Sequence, residues 1–158
     1  MAVVAKAVQF GSDLRLLDNL ERQNSRTRGS DLSVGTRTRS GRLDLGTVSA
    51  VDNIRQALLL RLLTPVGELE PLGHPDYGCR LGELVGRLNN ERTHNLAKMF
   101  VLQALAAEPR IAQVLSVRVA PHRSDRTRLD ITVDALTVEG PTPLNLVFPF
   151  FLDRSATA

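Results

Sequence analysis

The sequence predicts an α+β domain, and three observations carry that expectation. Apolar residues recur at helical spacing between Val51 and Leu105, the period changes to two after Arg110, and turn-forming residues separate three alternating stretches. Two or three helices are therefore expected on one face of a small antiparallel sheet, with a β-hairpin arm ahead of them. The boundaries fall at residues 1–48 for the arm, 49–152 for the core domain and 153–158 for a short tail.

In the arm, Asp31–Val34 and Arg42–Leu45 both alternate, with Ser40-Gly41 between them. That reads as a hairpin with Arg37, Arg39 and Arg42 near its tip. Asn24–Ser30 reads as loop, broken by Gly29. A helix then starts at Ser49, a good N-cap, with Asp52 in its first turn. Val51, Ile54, Leu58 and Leu62 fall on one face, widened by Leu59 and Leu63, and Arg61 interrupts the apolar run. Pro65 restricts Thr64 and ends the helix.

The Pro- and Gly-dense stretch from Thr64 to Gly78 must be an ordered irregular loop, followed by a short helix over Arg80–Leu88. Asn89 or Asn90 caps a longer helix running to Ala107, with Leu96, Met99, Phe100 and Leu105, plus Ala97 and Ala104, on its buried face. Three strands follow, on Leu115/Val117/Val119, on Leu129/Ile131/Val133/Ala135 and on Leu144/Leu146/Phe148/Phe150. The links Pro121–Arg128 and Leu136–Pro143 suit antiparallel connections. One face of each strand is polar, so helices cover the sheet on one side only. Pro149 marks the third strand as an edge, and Val147, Phe148, Phe150 and Phe151 make it unusually apolar. Such an edge invites pairing with another chain. Phe148 and Phe150 are expected to pack under the helices, leaving the backbone edge open.

Glu108-Pro109-Arg110 lies where the helical period stops and the strand period begins. The proline holds Glu108 extended and fixes its own φ, making a stiff corner with one carboxylate and one guanidinium. An acid at a helix C-terminus opposes the dipole, and a local rule broken at a rigid corner hints at function. The plainer alternative is a surface ion pair contributing about 0–1 kcal/mol.

With 158 residues, 42% hydrophobic and 23% charged, the composition is that of one soluble globular domain. It has no Trp and one Tyr, so the core must be mostly aliphatic. A single cysteine, Cys79, excludes an internal disulfide and supports no zinc site; it reads as a buried residue in a reducing compartment. Met1–Phe10 lacks the pattern of a secretory signal, and nowhere do about 18 apolar residues run together, so a cytosolic protein without a membrane span is expected. The net charge of +3 arises in residues 1–48, with eight basic against five acidic residues.

Signals for chemistry are weak. His74, His94 and His122 have no metal-binding spacing, and neither a nucleophile elbow nor a phosphate-cradling glycine loop is present. Glu68, Glu70 and Asp76 could supply two carboxylates for glycoside cleavage, although loop acids are more often solvated. Arg22, Arg26, Arg28, Arg37, Arg39 and Arg42 could neutralise phosphates, but no stacking aromatic lies between Gly11 and Leu45. No catalytic residue, cofactor, metal or nucleic-acid partner is expected.

Four pieces of the chain, Val51–Leu58, Leu63–Glu68, Pro75–Leu81 and Glu108–Ile111, in this order and spacing, resemble the baseplate wedge, or sheath-initiator, family of contractile phage tails and injection systems. The type VI secretion system has a member of that family. The resemblance implies a structural protein in six copies around the tail tube, with wedge proteins, the sheath subunit and inner tube or hub proteins as partners. It implies that Glu108, Pro109 and Arg110 dock on the helical core bundle of the wedge. It also implies that the strand of Leu144, Leu146, Phe148 and Phe150 lies near the sheath contact, where β-augmentation would start sheath assembly. Such a protein is made in the cytoplasm and ends in a tail-like particle. The lysozyme-like name in the family implies peptidoglycan cleavage, which no residue pattern here supports; that enzyme and a basic-arm nucleic-acid binder are the alternatives.

Overall fold

The computed structural model describes residues 10–16, 34–36, 41, 43–138 and 140–153. The chain forms two compact units, Met1–Gln56 and Ala57–Ala158. Its described elements are β1 (Ser12–Leu14), β2 (Val34–Thr36), β3 (Leu43–Leu45), β4 (Thr47–Ser49), α1 (Ala50–Leu63), α2 (Glu91–Ala106), β5 (Ile111–Pro121), β6 (Arg128–Thr137) and β7 (Gly140–Phe151), with 3-10 turns at Glu70–Leu72 and Arg80–Leu84. This is the expected α+β class; α1 crosses the division between the units.

In the first unit β2 pairs antiparallel with β3, Gly35 opposite Asp44; of the strand expected at Asp31–Val34 only Val34 is among the described residues, and it opens β2. Arg37, Arg39, Arg42 and the loop at 24–30 lie outside the described residues. A second pair, β1 with β4, was not expected, because Ser12-Asp13-Leu14 is too short to display a period. Side-chain amides secure it. Gln56 Oε1 accepts from the Leu16 amide and its Nε2 donates to the Leu14 carbonyl, both at 2.7 Å. Asn53 Nδ2 donates to the Phe10 carbonyl at 2.6 Å.

Ser49 is not a free N-cap but the last residue of β4. The chain turns at Ala50, whose φ is +52°, and the Ala50 amide donates to the Gly11 carbonyl. In this unit Asn53, Ile54 and Gln56 are buried, while Val51, expected on the buried face, is exposed.

In the second unit α1 stops at Leu63, ahead of Pro65 as expected. The helix expected over Arg80–Leu88 is a 3-10 turn of five residues; Gly86 at φ +85° ends the region. The Asn90 side chain accepts from the Thr93 amide and caps α2. Its buried row is Thr93, Ala97, Phe100, Val101, Ala104 and Leu105; Met99 lies outside this row and is exposed.

The sheet is antiparallel in the order β5–β6–β7, with β6 central and β7 at an edge, which accommodates Pro149. Leu129, Ile131, Val133 and Ala135 of β6 are buried, and its alternate residues are half-buried. α2 packs against β5. Leu115 departs from its expected inward position. β5 carries register shifts at Ile111/Gln113 and Val114/Ser116, so Leu115 is an extra, exposed residue of a bulge.

Candidate docking sites: a buried charge cluster and an open sheet edge

The Glu-Pro-Arg corner forms, but its carboxylate points inward. Glu108 is 4% exposed. Its Oε1 accepts from Arg110 Nε at 2.6 Å and from the Arg110 amide at 3.4 Å, while Oε2 faces Arg61 Nη2 at 3.5 Å. The Arg61 guanidinium lies over the Tyr77 ring, 4.4 Å from its centroid. Burial pushes the Glu108 carboxyl up, but the Arg110 hydrogen bond and the charges of Arg110 and Arg61 outweigh it and hold the group below its ordinary value. The Glu108 hydrogen bond in turn raises Arg110. Two guanidiniums meet one carboxylate, and among the described residues Arg61 Nε is buried without a hydrogen-bond partner. Pro109 is exposed, and the Arg110 side chain keeps 31% of its surface open.

Within the chain the Glu108 carboxylate is spent on Arg110 and Arg61. It fixes Arg110, and the two cations compensate an acid placed against the dipole of α2. Arg61 is the member of this cluster that sequence reasoning missed. Its signal was present: a lone arginine inside the apolar run of Leu58–Leu63 has no place in a core without an anion.

Two of the other quoted motifs, Leu63–Glu68 and Pro75–Leu81, meet beside the same cluster. The Cys79 amide donates to the Thr64 carbonyl at 2.8 Å, and Pro65 bridges to Cys79. Gly78 is needed there: its φ is +121°, and a Cβ would lie 2.5 Å from the Thr64 oxygen. This clamp sets Tyr77 over Arg61. Cys79 itself is buried, its thiol 3.5 Å from the Phe100 carbonyl, and burial pushes its pKa up.

Along β7, Leu144, Leu146 and Phe148 are buried and Phe150 is half-buried. Leu144, Leu146 and Phe148 thus belong to the core, as expected for Phe148. The outward residues are Asn145 and Val147, with Val147 54% exposed.

Glu68, Glu70 and Asp76 are all exposed. His122 Nδ1 lies 3.3 Å from Ser124 Oγ, but in an exposed turn where Asp125 Oδ1 accepts from Thr127 instead. His94 is half-buried with Nε2 2.6 Å from Asn89 Oδ1. A shallow pocket between Glu91, Arg92, Asn95, Leu96 and Met99 pairs no acid with a nucleophile. Among the described residues no group of acids, histidines and cysteine could hold a metal, and no helix is long and apolar enough to cross a membrane.

A small α+β domain whose motif residues lock onto one another, with a charged corner and a regular open edge, has the features of an assembly module. The model of the baseplate wedge protein gp25 family matches residues 48–141, and the chain belongs to that family. A solved structure from Geobacter sulfurreducens, described as a candidate tail lysozyme, is 34% identical, with a TM-score of 0.59 over 69% of this chain and 96% of that one. No curated protein matches the chain.

Proposed function

We propose that this baseplate component joins the wedge to the sheath and starts sheath assembly, docking on the wedge through Arg110 and on the sheath through the β7 edge. The carrying observation is the part-exposed Arg110 guanidinium, held at 2.6 Å by a buried carboxylate. With Nε engaged, its terminal nitrogens remain available for a partner carboxylate, the geometry in which arginine binds most strongly. Six copies around the tube, with wedge, sheath and hub proteins as neighbours, accord with membership of the family. So does production in the cytoplasm followed by residence in a tail-like particle. Arg110→Ala should leave the chain folded while baseplates, viewed by electron microscopy, fail to form. Normal, contractile particles carrying that substitution would reduce the corner to a structural role.

The description of the Geobacter structure favours a second reading, peptidoglycan cleavage. A turbidity assay on purified cell walls decides it: under that reading the parent clears the suspension and Glu68→Gln does not.

A further inference from the structure

We infer that copies of this chain associate head to tail, the acidic loop of one copy seating on a basic, leucine-bearing end of the next. The contact is separate from the wedge and sheath surfaces proposed above and does not depend on them.

The basic end lies where the turn at residues 122–127 meets the loop at 86–89. Asn89 Nδ2 donates to the Arg126 carbonyl at 2.7 Å. The Gly86 amide donates to the Leu152 carbonyl and the Leu152 amide to the Thr127 carbonyl, both at 2.7 Å. These bonds hold Arg87, Leu88, Arg123 and Arg126, all exposed, at one end of the second unit. Leu88 is 79% exposed even though its carbonyl is fixed by the Thr93 hydroxyl at 2.7 Å. The acids nearby are engaged. Asp125 Oδ1 accepts from the Thr127 amide and hydroxyl, Asp130 pairs with Arg128, and Glu83 binds Arg80 through both oxygens. Asp153 has a partner, and exposed Glu91 is offset in charge by its neighbour Arg92. Among the described residues Arg123 and Arg126 have no ion pair, and the two segments carry three arginines against one acid. An apolar anchor among arginines is the composition of a protein-binding surface. Neither segment has a Phe, Tyr or Trp on which a base could stack.

The same unit carries the matching surface. Its loop from Val66 to Asp76 holds Glu68, Glu70 and Asp76, all exposed and none paired with a cation among the described residues. Leu72, between them, is 73% exposed. Backbone bonds fix the loop, the Glu70 amide donating to the Gly67 carbonyl at 3.1 Å and the Gly73 amide to the Glu70 carbonyl at 2.9 Å. The loop closes at Thr64–Cys79, beside the Arg61–Glu108 cluster that follows the C-terminus of α2. The arginines lie by the capped N-terminus of α2, a helix of 16 residues. Such a helix is about 24 Å long. Among the described residues no hydrogen bond or ion pair joins the two surfaces within the chain, so their complementarity is realised between copies. A two-fold pair would set arginine against arginine or acid against acid, which repel. A head-to-tail pair satisfies both surfaces at once and is the kind of contact that closes into rings. A different acidic protein would cover the arginines but leave the loop acids and Leu72 open.

The test uses two variants of the full chain, one with Arg123→Gln and Arg126→Gln, the other with Glu68→Gln and Glu70→Gln. All four positions are exposed, so both variants should melt close to the parent. In sedimentation velocity at low salt the parent should associate weakly as its concentration rises, as a small charged contact does. Each variant alone should associate about tenfold less tightly or worse. Mixed in equal amounts, the two should recover the parent's affinity but stop at pairs, because only the acidic loop of the first and the arginines of the second remain. A second measurement needs no variant. In the labelled parent, the amide resonances of Glu68–Gly73 should move on concentration together with those of Arg87–Asn89 and Arg123–Thr127, and return in high salt. If either variant fails to fold, this measurement decides alone. A parent that stays monomeric, association that survives in both variants, or a mixture that does not pair overturns the inference. Retention of a monomeric parent on duplex DNA, lost with the arginine variant, would give that end to nucleic acid instead.

Discussion

In the first unit, Met1–Gln56, the described strands are three residues long and largely exposed, and side-chain amides of Asn53 and Gln56 hold β1 and the segment before it by their backbone. In the second, Ala57–Ala158, three strands of ten to twelve residues bury a continuous aliphatic face, and a charge cluster sits beside it. Among the described residues, every one of the largest fully buried side chains except Ile54 belongs to the second unit. Burial contributes in proportion to area, at about 25 cal/mol per Å², whereas one hydrogen bond contributes about 0.5–1.5 kcal/mol net. The first unit is therefore assembled from separable, small contributions. The second is cooperative, and its weak point is the Arg61–Glu108 cluster, where charge replaces hydrocarbon among its described residues.

The largest effect should come from breaking that place. Glu108→Ala leaves Arg61 buried beside Arg110 without an anion, and should lower stability by about 3–5 kcal/mol in a thermal or denaturant melt. The pH dependence has a definite sign. Because the folded-state pKa of Glu108 is depressed, its contribution is fully present above the ordinary glutamate range of about 4.3 and is lost as pH falls through the lower folded value. The stability gap between the parent and Glu108→Gln should thus narrow on acidification. Asp125 and Asp134 are depressed as well, but they occur in both proteins and cancel in the difference. A gap unchanged between pH 7 and acid would show that the cluster is not ionised as described.

Two smaller changes separate the clamp from the contact. Gly78→Ala forces an L residue to φ +121° against the Thr64 and Pro65 backbone, and should cost about 2–3 kcal/mol while loosening Tyr77 from Arg61. Arg110→Ala removes one charge-assisted bond from a partly exposed side chain while Arg61 still faces the carboxylate. Its cost to the isolated fold should be about 1–2 kcal/mol, well below that of Glu108→Ala. If Arg110→Ala proves the more damaging of the two, the division into a fixing acid and a contacting base is wrong.

Much of the second unit was legible in the sequence because its periods are long. β6 alternates over ten residues, and the Asn90 cap and Pro65 stop act locally. Positions that depend on tertiary offsets were not legible. The β5 bulges put Leu115 outside, and the rotation of α2 exchanged Met99 for Val101, because pattern alone cannot fix an extra residue or a face to within one position. At the site, adjacency made the Glu108–Arg110 pair readable. The pairing with Arg61, 47 residues away, was not, since a lone arginine in an apolar run does not name its anion. In the first unit, three-residue strands are shorter than any period.

The smallest expected effect lies in the first unit and runs in the opposite direction. Ala50 occupies the left-handed region at φ +52°, a conformation that costs an L residue about 1–2 kcal/mol and glycine almost nothing. It persists because the turn from β4 into α1 lets the Ala50 amide reach the Gly11 carbonyl and sets Asn53 under Phe10. Glycine would relieve the strain but add freedom to the unfolded chain, so Ala50→Gly should stabilise by about 0.5–1 kcal/mol. Gln56→Ala, which removes both bonds to the chain at Leu14 and Leu16, should destabilise by about 1–2 kcal/mol. If the first unit is a sum of small contributions, the double variant should show the two effects adding, because Ala50 and Gln56 share no hydrogen-bond partner. Amide exchange at Leu16 then reports the Gln56 contact alone. A strong departure from additivity would make this unit as cooperative as the second.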